Sequence, residues 1–309
     1  MGNYLVKRLA QVPLVLWVLV TLTFFMMRAA PGGPFSGEKR MDPDILKKLE
    51  EKYHLDRPVY EQYGRFMWDL VRHGDLGPSF KNKTKTVNEI IAEKFQVSLY
   101  LGAMATLLAL AMGLTAGVVA GIRQNSNFDY GSMAVAMTGL SIPTFVVGPV
   151  LALIFGRYMR LLPVAGYEGL MSPSYLVLPV ITLALPFAAR IARLTRAGML
   201  EVINQDYIRT AWAKGLRERV IVVRHALRGA MLPVVSFLGP AIAAMLTGSI
   251  VVEKIFFIPG IGSEFVQSAF NRDYTLAMGT VILYGALLVV MNLVVDVLYA
   301  FLDPRIRYT

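Results

Sequence analysis

Long uninterrupted apolar stretches dominate the pattern of hydrophobic and polar positions along the chain. Six of them contain no Asp, Glu, Lys or Arg and are 19 to 28 residues long: 9–27, 95–122, 130–156, 169–189, 229–252 and 274–295. A bilayer core about 30 Å thick needs roughly 20 apolar residues of helix. Helix also satisfies its own backbone hydrogen bonds in lipid. The pattern predicts an all-α polytopic membrane protein with six transmembrane helices.

The first apolar run shares some features with a cleaved signal peptide. Lys7 and Arg8 precede it, and two alanines follow it. However, its apolar core is longer than the roughly 7–15 residues of a cleaved signal. We therefore expect a retained anchor helix.

Charge is distributed unevenly between the connections. Segment 190–228 carries nine basic and three acidic residues, whereas segment 29–94 carries twelve basic and eleven acidic residues. Because short cytoplasmic loops are enriched in Lys and Arg, segment 190–228 is predicted to face the cytoplasm. Six alternating spans then place both termini in the cytoplasm and segment 29–94 outside.

Composition narrows the chemistry further. The 309-residue chain is 55% hydrophobic, has no cysteine and has three scattered histidines, so we expect neither a disulfide framework nor a metal site. The net charge of +10 fits a cytoplasmic rim near membrane lipid and partner proteins, and we expect no nucleic-acid partner.

The outer segment shows helical patterns and is expected to be partly folded. Asp42 and Pro43 suit the start of a first helix, and Thr86 and Glu89 suit the capping box of a third. The apolar face of the first helix would consist of Ile45, Leu46, Leu49 and Tyr53. The second helix would end near Gly74, and its apolar face would consist of Tyr60, Tyr63, Met67, Leu70 and Val71. The segment would form a cap on the membrane domain or a docking surface for an outer partner, and the two are compatible.

Small residues and prolines mark the interiors of several runs. Gly113, Gly117 and Gly121 recur at every fourth position of the second run, which favours close approach of another helix. Five prolines lie inside predicted spans, where kinks or cavity-facing irregularities are expected: Pro143, Pro149, Pro179, Pro186 and Pro240.

Asp296 stands close to the inner end of the last span, with Asn292 one turn earlier. Carboxylates at such depth are functional candidates. Arg305 and Arg307 follow, so a structural ion pair or an interfacial position is the first interpretation and a role in a translocation pathway is the second.

The basic loop 197–232 is the most informative segment. Asp206 is predicted to cap a short helix, 207–214, and Gly215 to end it in the left-handed conformation. A second helix would carry Val220, Val223, Leu227 and Met231 on one face into the fifth span. A short helix held across the membrane surface could act as a lever against a soluble partner.

Here the sequence resembles the permease subunits of ABC importers. Their loop motif, Glu-Ala-Ala, three residues, Gly and then Leu-Pro, corresponds to Arg209-Thr210-Ala211, Gly215 and Leu232-Pro233. Arg209 at the acidic position and the long spacing to Leu232 depart from the general motif. Both departures are typical of the peptide and nickel branch, which Tyr207–Leu216 matches closely.

The resemblance extends over nearly the whole chain, to the oligopeptide B-type permeases. The matching segments are 26–35, 52–55, 74–80, 259–262, 271–274, 295–300 and 303–304. It implies the type I ABC importer permease fold in a bacterial inner membrane. The expected division is an anchor and outer segment, 1–94, a permease core, 95–302, and a cytoplasmic tail, 303–309.

The resemblance also implies partners and a function. These are a second homologous permease, two ATPase subunits that bind ATP and Mg²⁺, and an outer peptide-binding protein. The implied coupling residues are Tyr207, Ile208, Arg209, Thr210, Ala211, Trp212, Ala213, Lys214 and Gly215, with loop 123–129 as a lesser contact. This chain has no phosphate loop of the Gly-x-x-x-x-Gly-Lys-Ser/Thr type, so we expect no cofactor and no ATP hydrolysis on it.

Oligopeptides are the expected cargo, with dipeptides, murein peptides, nickel or oligosaccharides as alternatives; no residue is predicted to line the pathway. A stand-alone secondary transporter would need ionisable groups in mid-membrane and leaves the basic loop unexplained. An intramembrane hydrolase would need converging Ser and His or paired carboxylates, which the sequence does not present.

Overall fold

The computed structural model describes residues 2–29, 33–35, 43–169 and 172–302. The expected helix start at Asp42, the tail 303–309 and the side chains of Ile45 and Leu46 lie outside the described part. The helices are α1 (Gly2–Ala29), α2 (Pro43–Lys52), α3 (Val59–His73), α4 (Val87–Ile122), α5 (Asn127–Ser141), α6 (Thr144–Leu151), α7 (Ser174–Ile203), α8 (Asp206–Ala213), α9 (Glu218–Val220), α10 (Leu227–Ala230), α11 (Leu232–Leu246), α12 (Ile250–Phe256), α13 (Ile261–Phe270) and α14 (Tyr274–Leu302).

The six apolar runs correspond to candidate membrane-spanning helices. Within the described residues, five helical stretches are long and apolar enough to cross a bilayer: Arg8–Ala29, Val87–Ile122, Ser174–Ile203, Leu232–Phe256 and Tyr274–Tyr299. The sixth candidate is a bent pair, Asn127–Ser141 with Thr144–Tyr158. The predicted all-α polytopic fold is confirmed.

The third apolar run is not one straight helix. Its two halves meet at 107°, and the break falls at Ile142 and Pro143. A proline disfavours helical geometry in the residue before it, and Ile142 accordingly has φ −88° and ψ 119°. The second half continues from α6 as a π-helical stretch, Ala152–Tyr158. By contrast, Pro179 and Pro186 lie inside an unbroken α7.

Helix α4 joins what the sequence suggested as two elements. Its capping box is confirmed: the Glu89 backbone N–H donates to the Thr86 hydroxyl at 3.3 Å, and the Thr86 N–H donates to the Glu89 carboxylate at 2.9 Å. From there the helix runs without a break for 36 residues. The division between residues 94 and 95 falls inside this helix and stays a prediction.

Glycines bring α4 and α7 together in a parallel arrangement. A Cβ on Gly113 would lie 2.7 Å from the Ala188 carbonyl oxygen, and one on Gly121 would lie 2.5 Å from the Met199 Cβ. The increasing residue numbers on both helices give the parallel direction. Backbone-to-backbone contact of this kind strengthens dispersion packing where lipid supplies no hydrophobic driving force.

Helix α11 packs antiparallel to this pair, α14 packs antiparallel to α11, and α1 packs on α14. Gly102 of α4 lies against the backbone of Met245, near the end of α11. Gly239 of α11 faces Asn292 of α14, and Gly285 of α14 faces Leu19 of α1. The largest buried cluster accordingly draws its side chains mainly from α4, α7, α11 and α12.

The outer segment follows the predicted helices but not every predicted face. Helix α3 ends at Gly74, which has φ 64° and donates from its N–H to Leu70 at 3.1 Å. Tyr63 packs on α1, whereas Tyr60 and Val71 are 76% and 77% exposed. The predicted apolar face of α3 is therefore only partly covered by this chain.

Candidate coupling site and the carboxylates that brace it

Helix α8 begins at Asp206, one residue earlier than a capping Asp206 would require. The N-cap is Gln205, with φ −74° and ψ 149°, and its side chain makes no capping bond. The predicted cap is therefore wrong, because an N-cap residue needs extended backbone and Asp206 is already helical. Its carboxylate lies in the first turn, where negative charge is favoured by the helix dipole.

The end of α8 has the predicted left-handed geometry. Gly215 has φ 71°, its N–H donates to Trp212 at 2.9 Å, and the Leu216 N–H donates to Ala211 at 3.3 Å. These two bonds make a Schellman motif, which turns the chain sharply at a residue without a Cβ.

The two faces of α8 have different surroundings. Ile208 and Ala211 are buried in a cluster with Met199 of α7 and with Ile221 and Ala226 of the following segment. The other residues of the predicted coupling set are exposed: Tyr207, Arg209, Thr210, Trp212, Ala213, Lys214 and Gly215. A short helix is thus fixed to the bundle through two apolar side chains and presents aromatic and basic groups outward.

The segment after Gly215 is helical, but its predicted face is wrong in its first part. Val220 and Val223 are 38% and 59% exposed, whereas Ile221 and Val222 are buried. The cause is a π-helical turn, Ile221–Ala226, whose wider winding changes which side chains face α8.

Asp129 braces the loop between α4 and α5 from inside. Its carboxylate is 1% exposed and accepts from Arg196 of α7 at 2.5 and 2.7 Å, and from the Asn125 N–H at 3.0 Å. This carboxylate is therefore not free for the second partner contact suggested for loop 123–129. In the same loop, the Arg123 guanidinium lies over the exposed ring of Phe128, 5.0 Å from its centroid.

Asp296 forms the expected ion pair, with a partner that the sequence did not suggest. The Arg8 Nε of α1 lies 3.2 Å from its Oδ2. Arg305 and Arg307, the partners considered from sequence, lie outside the described residues. The pair joins the first helix to the last, which favours the structural interpretation of Asp296 over the pathway interpretation.

A buried carboxylate at the opposite end of the bundle was missed by the sequence analysis. Glu253 is 1% exposed and accepts from the Ser98 hydroxyl at 2.9 Å and from the N–H groups of Gly262 and Ser263 at 3.3 and 2.6 Å. A Cβ on Gly248 or Gly260 would lie 2.0 or 2.3 Å from its Oε1. The surrounding glycines were the available clue, since they leave room for a carboxylate beside bare backbone.

Asp273 ties the outer segment to the last span. It caps α14 by accepting from the Leu276 N–H at 3.3 Å, and it also accepts from the Ser79 hydroxyl and from the Phe80 N–H at 3.1 Å. Like Glu253, this carboxylate has its acceptors occupied by internal donors. No group of three or more His, Asp or Glu within the described ranges could hold a metal ion.

Two family descriptions match the chain. Residues 113–308 match the inner membrane component of binding-protein-dependent transport systems, and residues 1–102 match the N-terminal part of such a membrane component.

Curated relatives match over the full length of the chain. It is 48% identical to the oligopeptide transport system permease protein OppB of Salmonella typhimurium over 308 residues, which covers 100% of both chains. It is 46% identical to OppB of Haemophilus influenzae, again over 100% of both. It is 43% identical to the dipeptide transport system permease protein DppB of Bacillus subtilis, over 99% of this chain and 98% of that one.

A solved structure supports the fold. The crystal structure of an amino acid ABC transporter with histidines aligns with a TM-score of 0.50 at 16% identity, over 68% of this chain and 93% of that chain. At this identity the likeness concerns the fold alone, and it agrees with the type I permease architecture. The chain belongs to the family of binding-protein-dependent transport system inner membrane components.

Proposed function

We propose that this chain is one permease subunit of an ATP-driven oligopeptide importer in a bacterial inner membrane. The observation that carries the proposal is the full-length similarity to oligopeptide permease proteins, at 46–48% identity. The exposed aromatic and basic face of α8 adds a physical reason for a soluble partner at that end of the bundle. The dipeptide permease of Bacillus subtilis is less similar, so dipeptide cargo is the second candidate.

Charge orients the proposed subunit. The α8 end carries the basic segment 190–228, so it faces the cytoplasm under the positive-inside rule. Both termini then lie in the cytoplasm, and the clusters around Glu253 and Asp273 lie near the outer surface. On that side an outer binding protein would deliver peptide.

The proposed coupling works through rigid contacts. Tyr207, Arg209, Trp212 and Lys214 contact an ATPase subunit, while Ile208 and Ala211 pass its displacement to α7 and to the segment before α11. ATP binding shifts the bundle between inward-open and outward-open states only to the extent that it favours one of them. The close α4–α7 packing would move these two helices as one body.

The proposed assembly contains other chains. A second homologous permease completes the pathway, and two ATPase subunits hold ATP and Mg²⁺. The outer binding protein sets much of the cargo selectivity. This chain supplies no phosphate-binding loop. It contributes one wall of the pathway and the coupling helix α8.

The test is uptake by a reconstituted complex. The tagged chain would be purified with its partners from native membrane in mild detergent and placed in liposomes containing ATP. We expect uptake of a labelled pentapeptide that requires internal ATP and the binding protein. Uptake restricted to dipeptides would select the second candidate, and transport by this chain alone without ATP would contradict the proposal.

A further inference from the structure

Arg28 lies at the end of the first membrane-spanning candidate and has an unused donor. Its Nε donates to the Gln62 side-chain oxygen at 3.0 Å, and its guanidinium lies 4.9 Å from the centroid of the Phe24 ring. Its Nη1 is buried from solvent and has no hydrogen-bond partner. A buried donor without an acceptor costs free energy, so an acceptor from outside the chain would be favoured here.

The same guanidinium lines a cavity of about 390 Å³ with an excess of positive charge. Lys52 and Arg65 line it too, together with His54, and the one carboxylate in its described lining is Asp69. Arg65 is 3.7 Å from Glu61, and Asp69 is 3.7 Å from His73, so both also have neighbours on α3. The cavity therefore suits an anionic group with several acceptor oxygens.

The depth of Arg28 in the membrane indicates the source of that group. The candidate span Arg8–Ala29 has 22 residues, about 33 Å of helix, which matches a hydrocarbon core of about 30 Å. Arg28 thus lies at the level where lipid headgroups begin. Arginines at this level extend toward the interface.

Helix α3 provides the adjoining apolar surface. It crosses the last turns of α1, where the hydroxyls of Tyr63 and Thr21 are 2.7 Å apart and the rings of Phe66 and Phe24 stack. Away from α1, its exposed side chains include Tyr60, Trp68 and Val71. An amphipathic helix with exposed aromatic residues and arginines is typical of segments that lie in the membrane interface.

We propose that this cavity, which is lined by α1, α2, α3, the loop 76–80 and the start of α14, binds the phosphate of an anionic phospholipid headgroup, with Arg28 as the central donor. Lys52 and Arg65 provide additional positive charge, and the exposed face of α3 lies against the acyl chains. The site anchors the outer segment to the membrane at the first helix. It does not depend on the cargo or on ATP coupling.

The test measures lipid retention directly. The purified full-length complex would be stripped of lipid in detergent and titrated with phosphatidylglycerol, phosphatidylcholine or inorganic phosphate, with bound lipid counted by native mass spectrometry. We expect a preference for phosphatidylglycerol and about fivefold weaker retention in Arg28→Met and in Arg65→Gln, since each nearby cation contributes about 1 kcal/mol. Arg72→Gln is the matched control: Arg72 lies on α3 and stacks on Trp68 but does not line the cavity.

Three results would overturn the proposal. Equal lipid retention by the wild type, Arg28→Met and Arg65→Gln would show that these residues do not form a lipid-binding site. Equal affinity for phosphatidylcholine and phosphatidylglycerol would show that the cavity does not select an anionic headgroup. Inorganic phosphate that stabilises the stripped protein as much as lipid does would assign the cavity to a free anion. Arg65→Gln keeps the test valid if Arg28→Met does not fold, because the Arg65 side chain is 50% exposed.

Discussion

Arg196 of α7 donates to both carboxylate oxygens of Asp129, across 67 positions of sequence. The bond fixes the start of α5 against the helix that leads into α8. The Asp129 carboxylate is buried and the Arg196 side chain is 27% exposed, so water cannot fully replace either partner if the other is removed. The pair therefore holds the loop 123–129 in place from within the fold.

Asp129→Ala is expected to destabilise the chain by about 2–3 kcal/mol, because it leaves a partly buried guanidinium without its partner. Thermal unfolding of the detergent-purified complex would measure the loss. The double variant Asp129→Ala with Arg196→Gln should lose less than the sum of the two single variants. Strict additivity would show that the two side chains do not act as a pair.

Gly117→Val is expected to force α4 and α7 apart. A Cβ there would lie 2.5 Å from both the Ala192 carbonyl oxygen and the Thr195 Cβ, so backbone has to move. Overpacking of this kind costs about 1–3 kcal/mol, and we expect a lower unfolding temperature and less assembled complex. Gly131→Ala in α5 is the control, because nothing lies within 4 Å of its added Cβ.

Gly215→Val is expected to separate ATP hydrolysis from peptide uptake. The residue has φ 71°, which a β-branched side chain disfavours, so the Schellman end of α8 should be distorted. We expect fewer peptides imported per ATP hydrolysed by the reconstituted complex. Gly215→Asn should keep near-normal coupling, since asparagine tolerates this backbone region. Normal coupling in the valine variant would show that this end of α8 is not needed.

Exchanging the charges of Arg8 and Asp296 distinguishes a structural carboxylate from one in the pathway. Asp296→Arg alone should reduce assembled complex, since it places two cations together at the ends of α1 and α14. Adding Arg8→Asp should restore both the assembly and the peptide uptake. Restored assembly without uptake would give Asp296 a direct role in translocation.

The apolar runs were sufficient to predict the spans, because bilayer thickness sets helix length. The prolines indicated possible kinks, but they could not predict that Pro143 would produce the 107° bend, since Pro179 and Pro186 lie inside the unbroken α7. What distinguishes the two cases is packing: α7 is held along α4 by the glycines, whereas the described part of this chain leaves Phe145 and Val146 of α6 exposed.

The two ends of α8 show what local chemistry predicts well. Gly215 could be predicted because a left-handed helix end strongly favours glycine. The start was wrong by one residue: capping preference favours Asp206, whereas the observed N-cap is Gln205, whose side chain makes no capping bond. The π-helical turn after it has no comparable sequence marker, so the face containing Val220 and Val223 was assigned to the wrong side.

The hydrogen-bond donors to the buried carboxylates could be identified only from the folded chain. Asp129, Glu253 and Asp273 find donors far away in sequence, on Arg196, Ser98 and Ser79 respectively. Periodicity gives no information on such distances. The glycines around Glu253 are the sequence feature that could have indicated an enclosed side chain there, and the sequence analysis did not use them.

Contact between α8 and an ATPase subunit can be measured by site-directed cross-linking in the purified complex. This chain has no cysteine, so an introduced cysteine is its single thiol. Trp212→Cys, on the exposed face of α8, should cross-link to a co-purifying ATPase subunit. Phe270→Cys, at the end of α13, should not form this cross-link, although Phe270 is more exposed than Trp212. The absence of an ATPase cross-link at position 212, or an equal one at position 270, would show that α8 is not the ATPase contact.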